Sequence, residues 1–359
     1  MSTTERLNEP WSLGSLRVPN RVLLAPLAGI GNWFVRLQAK RYGAGMAVSE
    51  MVSSHAIHHR NQRTCTELLR IDPRERQPPA PDERAPGAPA WVGGPVSIQL
   101  FGEDPRIMRS AAAHVAAAGA DAIDINMGCP VPKVRKTGAG AALLDAPDLA
   151  VEVARAAVQG AREGAGRELP VTAKLRSGLR PGEDSGVRLA QRLVEEAGVA
   201  AIGFHPRSAA VHHKGSPDHQ LTARLVRILP APVIITGGID DAAAAREAFE
   251  RTGAAAVMLA RGALGNPWLF SQLLHARERP PAPQEVLDEL CWTVQRAVEH
   301  LGEQRATRYL RKFYPWYVAR LRLPTREARS LLQAVQAAPT IARARELLDL
   351  ACRPRSLAA

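Results

Sequence analysis

Cysteine is scarce in this chain of 359 residues, and its spacing narrows the kinds of site that the protein can contain. The four cysteines, Cys65, Cys129, Cys291 and Cys352, lie far apart and form no C-x-x-C pair. This spacing argues against a zinc site, an iron–sulfur cluster and a disulfide framework. We therefore expect no metal, a reducing compartment and a Cys129 thiol that is free to react.

Long apolar runs are also missing. No stretch approaches the roughly 18 consecutive apolar residues that a membrane-spanning helix needs. The N-terminus lacks the charged segment followed by an apolar segment that is typical of a signal peptide. We expect a soluble, monomeric protein of the cytoplasm that does not contact a membrane. Hydrophobic residues make up 46% of the chain, so a large core is available.

Lysine is also scarce, although the chain is strongly basic. Six lysines accompany 41 arginines, and the formal net charge is +12. From Leu301 to Ala359, 12 Lys and Arg stand against 4 Asp and Glu, a net charge of +8 in the last sixth of the chain. A concentrated basic segment is typical of a polyanion-binding domain. The alternative is a generally arginine-rich protein with solvated helix faces, and charge alone favours neither interpretation.

Eight apolar strands alternate with helices between residues 22 and 259. This alternation predicts an α/β fold, a (β/α)8 TIM barrel, rather than a doubly wound sheet, because no G-x-G-x-x-G follows the first strand. A hairpin over Trp11–Arg21 is expected to plug the bottom of the barrel. We assign the barrel catalytic domain to residues 1–278 and a C-terminal helical domain to residues 284–353. Residues 71–95 are Pro-rich and predict an inserted, mobile surface loop.

The stretch Ile123–Leu144, IDINMGCPVPKVRKTGAGAALL, carries the most unusual pattern. An apolar strand in it runs into Asn126 and Cys129. Pro130 and Pro132 are expected to exclude a helix and leave a loop above the strand end. A lone cysteine after a strand is most often a small buried hydrophobe, so its position must be weighed with the rest of the barrel.

Barrel enzymes place their active sites at the C-terminal ends of the strands. The residues that fall at these ends are Pro26, Cys129, Lys174, His205, Gly237, Gly238 and Arg261. A Gly-Gly turn after the seventh strand, followed by a basic residue after the eighth, is typical of a phosphate-binding turn. A phosphorylated cofactor is therefore expected, and an ordinary loop turn is the alternative.

The central stretch resembles the motif N-x-G-C-P-x-x-K-V, with a downstream G-x-G-x-x-L-L, of the bacterial tRNA-dihydrouridine synthases. Four further segments are similar to that family: APLAG from Ala25, SIQLFG from Ser97, AKLRSG from Ala173 and HPRS from His205. The resemblance extends from about residue 22 to residue 270, and more weakly to residue 317. RYLRKFYPWY, from Arg308, resembles the family's A-R-K-H-x-x-W-Y segment.

The resemblance implies an oxidoreductase in which NADPH reduces FMN and the reduced flavin delivers a hydride to C6 of a tRNA uridine. It implies that Cys129 is the catalytic residue that protonates C5, and that the uridine is turned out of its stack to reach the rim. The implied cofactor-binding residues are Pro26, Leu27, Ala28, Gln99, Lys174, His205, Thr236, Gly237, Gly238, Ala260 and Arg261. The implied substrate-binding residues are Asn126, Arg176, Arg207, Lys133, Arg311 and Lys312. For the aromatic residues near Arg311 we favour positions in a helical core.

Three departures from the family pattern stand out. Thr236-Gly237-Gly238 replaces the usual Asn-Gly-Asp, Gly31-Asn32 replaces Thr-Asp, and Phe313 replaces a histidine. Two other functions therefore stay open at the level of sequence. One is a flavin barrel that acts on a free pyrimidine, like a dihydroorotate dehydrogenase, and the other is a non-catalytic RNA-binding barrel.

Overall fold

A closed barrel of eight parallel strands forms the larger part of the protein, as the alternating pattern predicted. The computed structural model describes residues 1–80, 84, 85, 87, 89–91, 93–275 and 277–352, with the backbone alone at 352. The strands, of which the first two form a separate antiparallel hairpin, are β1 (Trp11–Leu13), β2 (Leu16–Val18), β3 (Val22–Leu24), β4 (Met46–Ser53), β5 (Val96–Phe101), β6 (Ala122–Met127), β7 (Val171–Arg176), β8 (Ala201–His205), β9 (Val233–Thr236) and β10 (Ala256–Leu259). The barrel closes between β10 and β3.

Helices follow the barrel strands and cover their outer faces with apolar side chains. These helices, with α1 before the barrel, are α1 (Thr3–Asn8), α2 (Trp33–Arg41), α3 (Ser54–His58), α4 (Pro105–Ala117), α5 (Pro132–Arg135), α6 (Pro147–Ala165), α7 (Ser185–Ala197), α8 (His219–Ile228), α9 (Ala242–Thr252) and α10 (Trp268–Leu273). Their ends follow sequence signals: the Asp104 carboxylate caps the first turn of α4, and Gly198 ends α7 with a φ of 73°.

The β1–β2 hairpin closes the N-terminal end of the barrel, as expected. Trp11 and Leu13 join the apolar cluster inside the barrel. A Cβ on Gly14, in the hairpin turn, would lie within 3.5 Å of the Cβ atoms of Pro170 and Ala200, the residues that precede β7 and β8. The opposite rim, where the strands end, is therefore the open one.

The expectation that Pro130 and Pro132 exclude a helix is wrong. Pro132 is the first residue of α5, a single helical turn. At that position the missing proline N–H has no intrahelical partner to lose, and the fixed φ already suits a helix. The chain above the end of β6 is therefore a short helix rather than an irregular loop.

The prediction of a surface loop over residues 71–95 is wrong at its N-terminal end. Asp72 and Glu75 are buried, and a 3₁₀ turn spans Pro73–Glu75. The Glu75 carboxylate pairs with the equally buried guanidinium of Arg36 on α2 at 2.8 Å. Neutralising a buried charge in this way anchors the segment to the barrel. Part of the predicted loop, residues 81–83, 86, 88 and 92, lies outside the described residues.

The Cα positions divide the chain into two compact units. The first comprises Met1–Gly262 with Leu269–Ala276, and the second comprises Ala263–Trp268 with Arg277–Ala359. The second unit is helical, as predicted, and contains α11 (Pro283–Leu301), α12 (Glu303–Leu310), α13 (Tyr314–Val318), α14 (Thr325–Ala337) and α15 (Ile341–Cys352). Phe313 and Tyr317 are buried in it, which confirms their expected core positions, whereas Tyr309 and Trp316, for which core positions were also favoured, are only partly buried. Within the described residues, no helix has the length and apolar character needed to cross a membrane.

Candidate active site

The inward-facing side chains of β5, β6 and β7 form two polar layers inside the barrel. In the deeper layer, strand register places Gln99 beside Asp124 and Asp124 beside Thr172. In the layer nearer the rim, Asn126 lies beside Lys174. Side chains alternate along a strand, so Asp124 and Asn126 share one face of β6. An inward Asp-x-Asn pair therefore occupies a strand that is otherwise apolar.

Hydrogen bonds join these side chains into one chain of contacts. Thr172 Oγ1 donates to Asp124 Oδ1 at 2.5 Å, and Gln99 Nε2 donates to Asp124 Oδ2 at 2.5 Å. Gln99 Oε1 accepts from Asn126 Nδ2 at 2.9 Å. Burial raises the pKa of Asp124 to about 6, although the two hydrogen bonds oppose that rise. Asp124 and Thr172 were not predicted as site residues. Polar residues recur at every second position of two otherwise apolar strands, however, and this spacing could have identified both.

Asn126 also holds the backbone of Cys129. Its Oδ1 accepts from the N–H of Gly128 at 3.2 Å and from the N–H of Cys129 at 2.9 Å. On the other side, the Cys129 carbonyl accepts from the N–H of Ala141 at 3.0 Å, and a Cβ on Gly140 would lie 2.9 Å from that oxygen. The Cys129 thiol is free and partly buried. Hydrogen bonds therefore hold the Cys129 backbone on both sides, and the turn at Gly140 packs closely against it.

Lys174 carries a positive charge into the same layer as Asn126. Its side chain is partly buried and makes no hydrogen bond or ion pair with any residue that the structure describes. Burial, with a smaller contribution from Arg176, lowers the pKa of Lys174 to about 8, although Asp124 and Cys129 act in the opposite direction. An ammonium group without an acceptor at this depth suits a ligand that brings one.

Arg176 and Arg207, both expected to bind substrate, are buried and donate to backbone carbonyls. Arg176 donates from Nε to Gly128 at 3.0 Å and from Nη1 to His212 at 2.7 Å. Arg207 donates from Nη2 to Gly215 at 2.6 Å. Burial lowers the pKa of Arg176 to about 10. The two guanidinium groups therefore hold the loop after β8, and Arg176 ties the Cys129 segment to it.

The turn after β9 adopts the backbone geometry that only glycine accepts easily. Gly237 and Gly238 have φ values of 94° and 75°. A Cβ on Gly237 would overlap the imidazole of His205. The buried Thr236 precedes this turn, and Arg261, after β10, is exposed and makes no ion pair with a described residue.

Positive charge accumulates around this turn. Burial first, and Arg261 second, lower the pKa of Arg207. Burial, Lys174 and Arg176 lower the pKa of His205 far below its ordinary value, so His205 is neutral. Two close guanidinium groups beside a glycine turn favour an anion. Ala260, small and partly buried, leaves room at the end of β10.

The turn after β3 is built from Pro26, Leu27 and Ala28, of which Ala28 is exposed on the rim. The Glu50 carboxylate accepts from the N–H of Gly29 at 2.8 Å and so ties this turn to β4. A Cβ on Gly31 would lie 2.8 Å from the backbone N of Glu50. Gly31, which stands where the family usually has threonine, therefore lies in a close contact with the backbone of β4 that a side chain would disturb.

Three of the cations predicted to contact substrate are exposed. Lys133 lies on α5, four residues after Cys129 in the chain. Arg311 and Lys312 belong to the second unit, and the Lys312 ammonium lies 5.0 Å from the centre of the Tyr309 ring. Exposed cations of this kind are available for phosphate contacts.

The chain resembles characterised proteins along almost all of its length. A profile of the dihydrouridine synthase (Dus) family matches residues 23–351. tRNA-dihydrouridine synthase B of Shewanella oneidensis is 33% identical over 315 residues, which cover 85% of this chain and 88% of that protein. The same-named protein of Pseudomonas aeruginosa is 32% identical over 320 residues, covering 86% of this chain and 87% of its own.

Solved structures with a similar barrel agree on the fold. A 2-naphthoyl-CoA reductase complex matches 76% of this chain and 53% of its own, with a TM-score of 0.54 and 14% sequence identity. Identity at this level supports the barrel fold and nothing finer. The profile match and the relatives carry the family assignment. The chain belongs to the dihydrouridine synthase family.

Proposed function

We propose that this protein is an FMN-dependent tRNA-dihydrouridine synthase that uses NADPH as the reductant. The observation that carries the proposal is the arrangement on the barrel rim: Asn126 holds the backbone of a free cysteine, Cys129, and lies beside Lys174, which makes no hydrogen bond or ion pair with a described residue. Family membership supplies the reaction class. In this proposal the protein acts as a monomer in the cytoplasm.

The residues of the rim fit an anionic, phosphorylated ring system. The Gly237-Gly238 turn, with Arg261 nearby, presents positive charge to a phosphate, so backbone N–H groups can replace the side chains of the usual Asn-Gly-Asp. Lys174, whose ammonium has no acceptor in the part of the chain that the structure describes, offers a positive charge to the ring. FMN, when bound, supplies the hydride. Lys174 would stabilise negative charge on the reduced ring, and Pro26, Leu27 and Ala28 would line its edge.

Asn126 and Cys129 would act on the uracil. Both lone pairs of Asn126 Oδ1 are used by backbone N–H groups, so Asn126 can offer the base only its second N–H, which lies 3.9 Å from the weakly accepting sulfur of Met51. We therefore expect Asn126 to donate to a uracil carbonyl. The Cys129 thiol would deliver a proton to C5 as hydride reaches C6, with Arg176 keeping the cysteine segment in place through the Gly128 carbonyl.

The tRNA backbone would be held by exposed cations. Lys133 on α5 and the Arg311–Lys312 pair in the helical unit are available for phosphate contacts, which position a substrate without reading its sequence. Arg207 would act indirectly in this proposal, because its guanidinium already holds the loop at Gly215.

The proposal is tested with purified protein, FMN, NADPH and tRNA transcribed in vitro. Dihydrouridine should form in the tRNA, and free uridine and orotate should not be reduced. Cys129→Ala should bind FMN normally but reduce tRNA at least about a hundredfold more slowly, because the proton donor is lost. Reduction of orotate in preference to tRNA would contradict the proposal and favour a dihydroorotate dehydrogenase-like function.

A further inference from the structure

Asp124 is a buried carboxylate to which the proposed function assigns no role. It lies in the deeper of the two polar layers and is 4% exposed. Both of its oxygens accept hydrogen bonds, one from Thr172 and one from Gln99, each at 2.5 Å. An ionised carboxylate can only accept hydrogen bonds, so it determines which way a neighbouring amide must turn.

The amides of Gln99 and Asn126 need such a determinant. A side-chain amide can rotate by half a turn with little change in shape, exchanging its donor and its acceptor. At the rim, the N–H groups of Gly128 and Cys129 can only donate, and both point to Asn126 Oδ1. Asn126 must then donate from Nδ2 to Gln99 Oε1, which leaves Gln99 Nε2 directed at Asp124. The direction of the whole series is consistent only if position 124 accepts.

We propose that Asp124 is a positioning residue that supplies the acceptor at the end of the Asp124–Gln99–Asn126 hydrogen-bond relay and thereby holds the backbone of Cys129. The inference rests on the proposed function for the purpose of Cys129, whereas the relay is a property of the chain alone. A further consequence concerns specificity. In this orientation Asn126 has no free acceptor, and its second N–H points to the sulfur of Met51 at 3.9 Å, a weak acceptor that a ring carbonyl could displace but a ring amino group could not.

A leucine at position 124 would remove the acceptor. Gln99 Nε2 would then be a buried donor without its partner in the relay, and Gln99 would have to turn or withdraw from Asn126, which costs free energy and loosens the hold on the cysteine backbone. An asparagine would keep the acceptor, because its Oδ1 can accept from Gln99 while its Nδ2 donates to Thr172 Oγ1.

Amide hydrogen exchange of Gly128 and Cys129, measured without cofactor or tRNA, tests the relay. In Asp124→Leu both amides should exchange at least about tenfold faster than in the unchanged chain, because Asn126, their common acceptor, loses the support of the relay. Asp124→Asn, which keeps the acceptor for Gln99, should change their exchange by less than about twofold. Thr172→Val is the matched control. It removes the other hydrogen bond to the same carboxylate but leaves the relay to Gln99, so exchange of these amides should change by less than about twofold.

A swapped pair separates direction from packing. In the double variant Asp124→Asn with Gln99→Glu, the new Asn donates to the new carboxylate, which still accepts from Asn126. Exchange should therefore stay slow, with the same net charge as the unchanged chain. A role that requires the carboxylate itself at position 124 would not survive this exchange of positions.

Three results would overturn the proposal: unchanged exchange in Asp124→Leu, exchange in Asp124→Asn as fast as in Asp124→Leu, or fast exchange in the double variant. If Asp124→Leu fails to fold, Gln99→Met, which removes the middle of the relay, should give the same faster exchange, and unchanged exchange in that variant would overturn the proposal. Because no turnover is measured, failure of the relay leaves the proposed tRNA reaction untouched, and failure of that reaction leaves the relay intact.

Discussion

Two lysines of the barrel unit, Lys174 and Lys40, share a lowered pKa of about 8 but have different surroundings. In both, burial is the main cause. Lys40 Nζ donates to the backbone carbonyl of Glu75 at 2.7 Å and also to that of Gly94. Lys174 has no such acceptor among the described residues. Lys40 therefore serves the fold, whereas the proposed function assigns Lys174 to a ligand.

Replacement of each lysine by methionine should change stability in opposite directions. Lys174→Met should raise the free energy of unfolding near pH 7 by on the order of 1 to 2 kcal/mol, because an unpaired buried charge is removed. Lys40→Met should lower it by about 1 to 3 kcal/mol, because two carbonyls lose their donor. Urea denaturation measures both, and destabilisation by both variants would contradict a ligand-facing Lys174.

The sign of the pH dependence follows from the lowered pKa of Lys174. Between about 8 and the ordinary value of 10.5, the folded chain binds fewer protons at Lys174 than the unfolded chain does. Stability therefore rises with pH in that window, and the cost of the buried charge is fully present below it. The advantage of Lys174→Met should shrink as the pH approaches 10.5 and should be constant below 8.

Which residues reach the rim could be predicted from the sequence, but what they touch could not. Cys129, Lys174 and His205 lie at strand ends that the apolar pattern marks clearly. Arg176 and Arg207 lie there too, yet their guanidinium groups donate to carbonyls of distant loop residues. Such contacts depend on the path of the loop after β8, and a loop path leaves no periodic signal in the sequence.

At the scale of elements, the turn after β9 offers a direct test of the phosphate site. Gly237→Ala should weaken FMN binding at least about tenfold, because a Cβ there would displace the His205 ring and strain a positive φ. Gly166→Ala is the matched control, with a φ of 63° and no atom within 4 Å of the added Cβ. It should cost only about 1 kcal/mol of stability and leave FMN affinity unchanged. Equal FMN affinity in both variants would contradict a role of this turn in cofactor binding.

Strands and long helices were predictable because their periodic patterns are local. The start of α5 was not, because Pro132 breaks a helix interior yet favours a first turn, and only the fold decides which of the two applies. The buried Asp72 and Glu75 were also missed. Their polar, Pro-rich surroundings are typical of a surface loop. The partner of Glu75, Arg36, lies 39 positions away in the sequence, so no local pattern indicates their buried ion pair.

At the scale of the whole molecule, the basic helical unit should govern affinity for tRNA. Arg311→Ala with Lys312→Ala should weaken tRNA binding and lower the slope of log affinity against log salt by about 1 to 2, since up to two phosphate contacts are lost. Arg343→Ala with Arg345→Ala removes the same charge from α15, where both arginines already pair with acidic residues. That control should change the slope by less than about half as much. Equal slopes in the two double variants would indicate that the overall positive charge of the unit attracts tRNA and that Arg311 and Lys312 make no specific phosphate contact.

Dihydrouridine mapping in tRNA from cells that lack this protein is the decisive test of the proposed reaction. We expect that at least one uridine position loses its dihydrouridine, that the intact gene restores it, and that the Cys129→Ala variant does not. If every position keeps its dihydrouridine in the deleted strain, or if Cys129→Ala restores the modification as well as the intact protein does, the proposed function of this protein or the role of Cys129 is wrong.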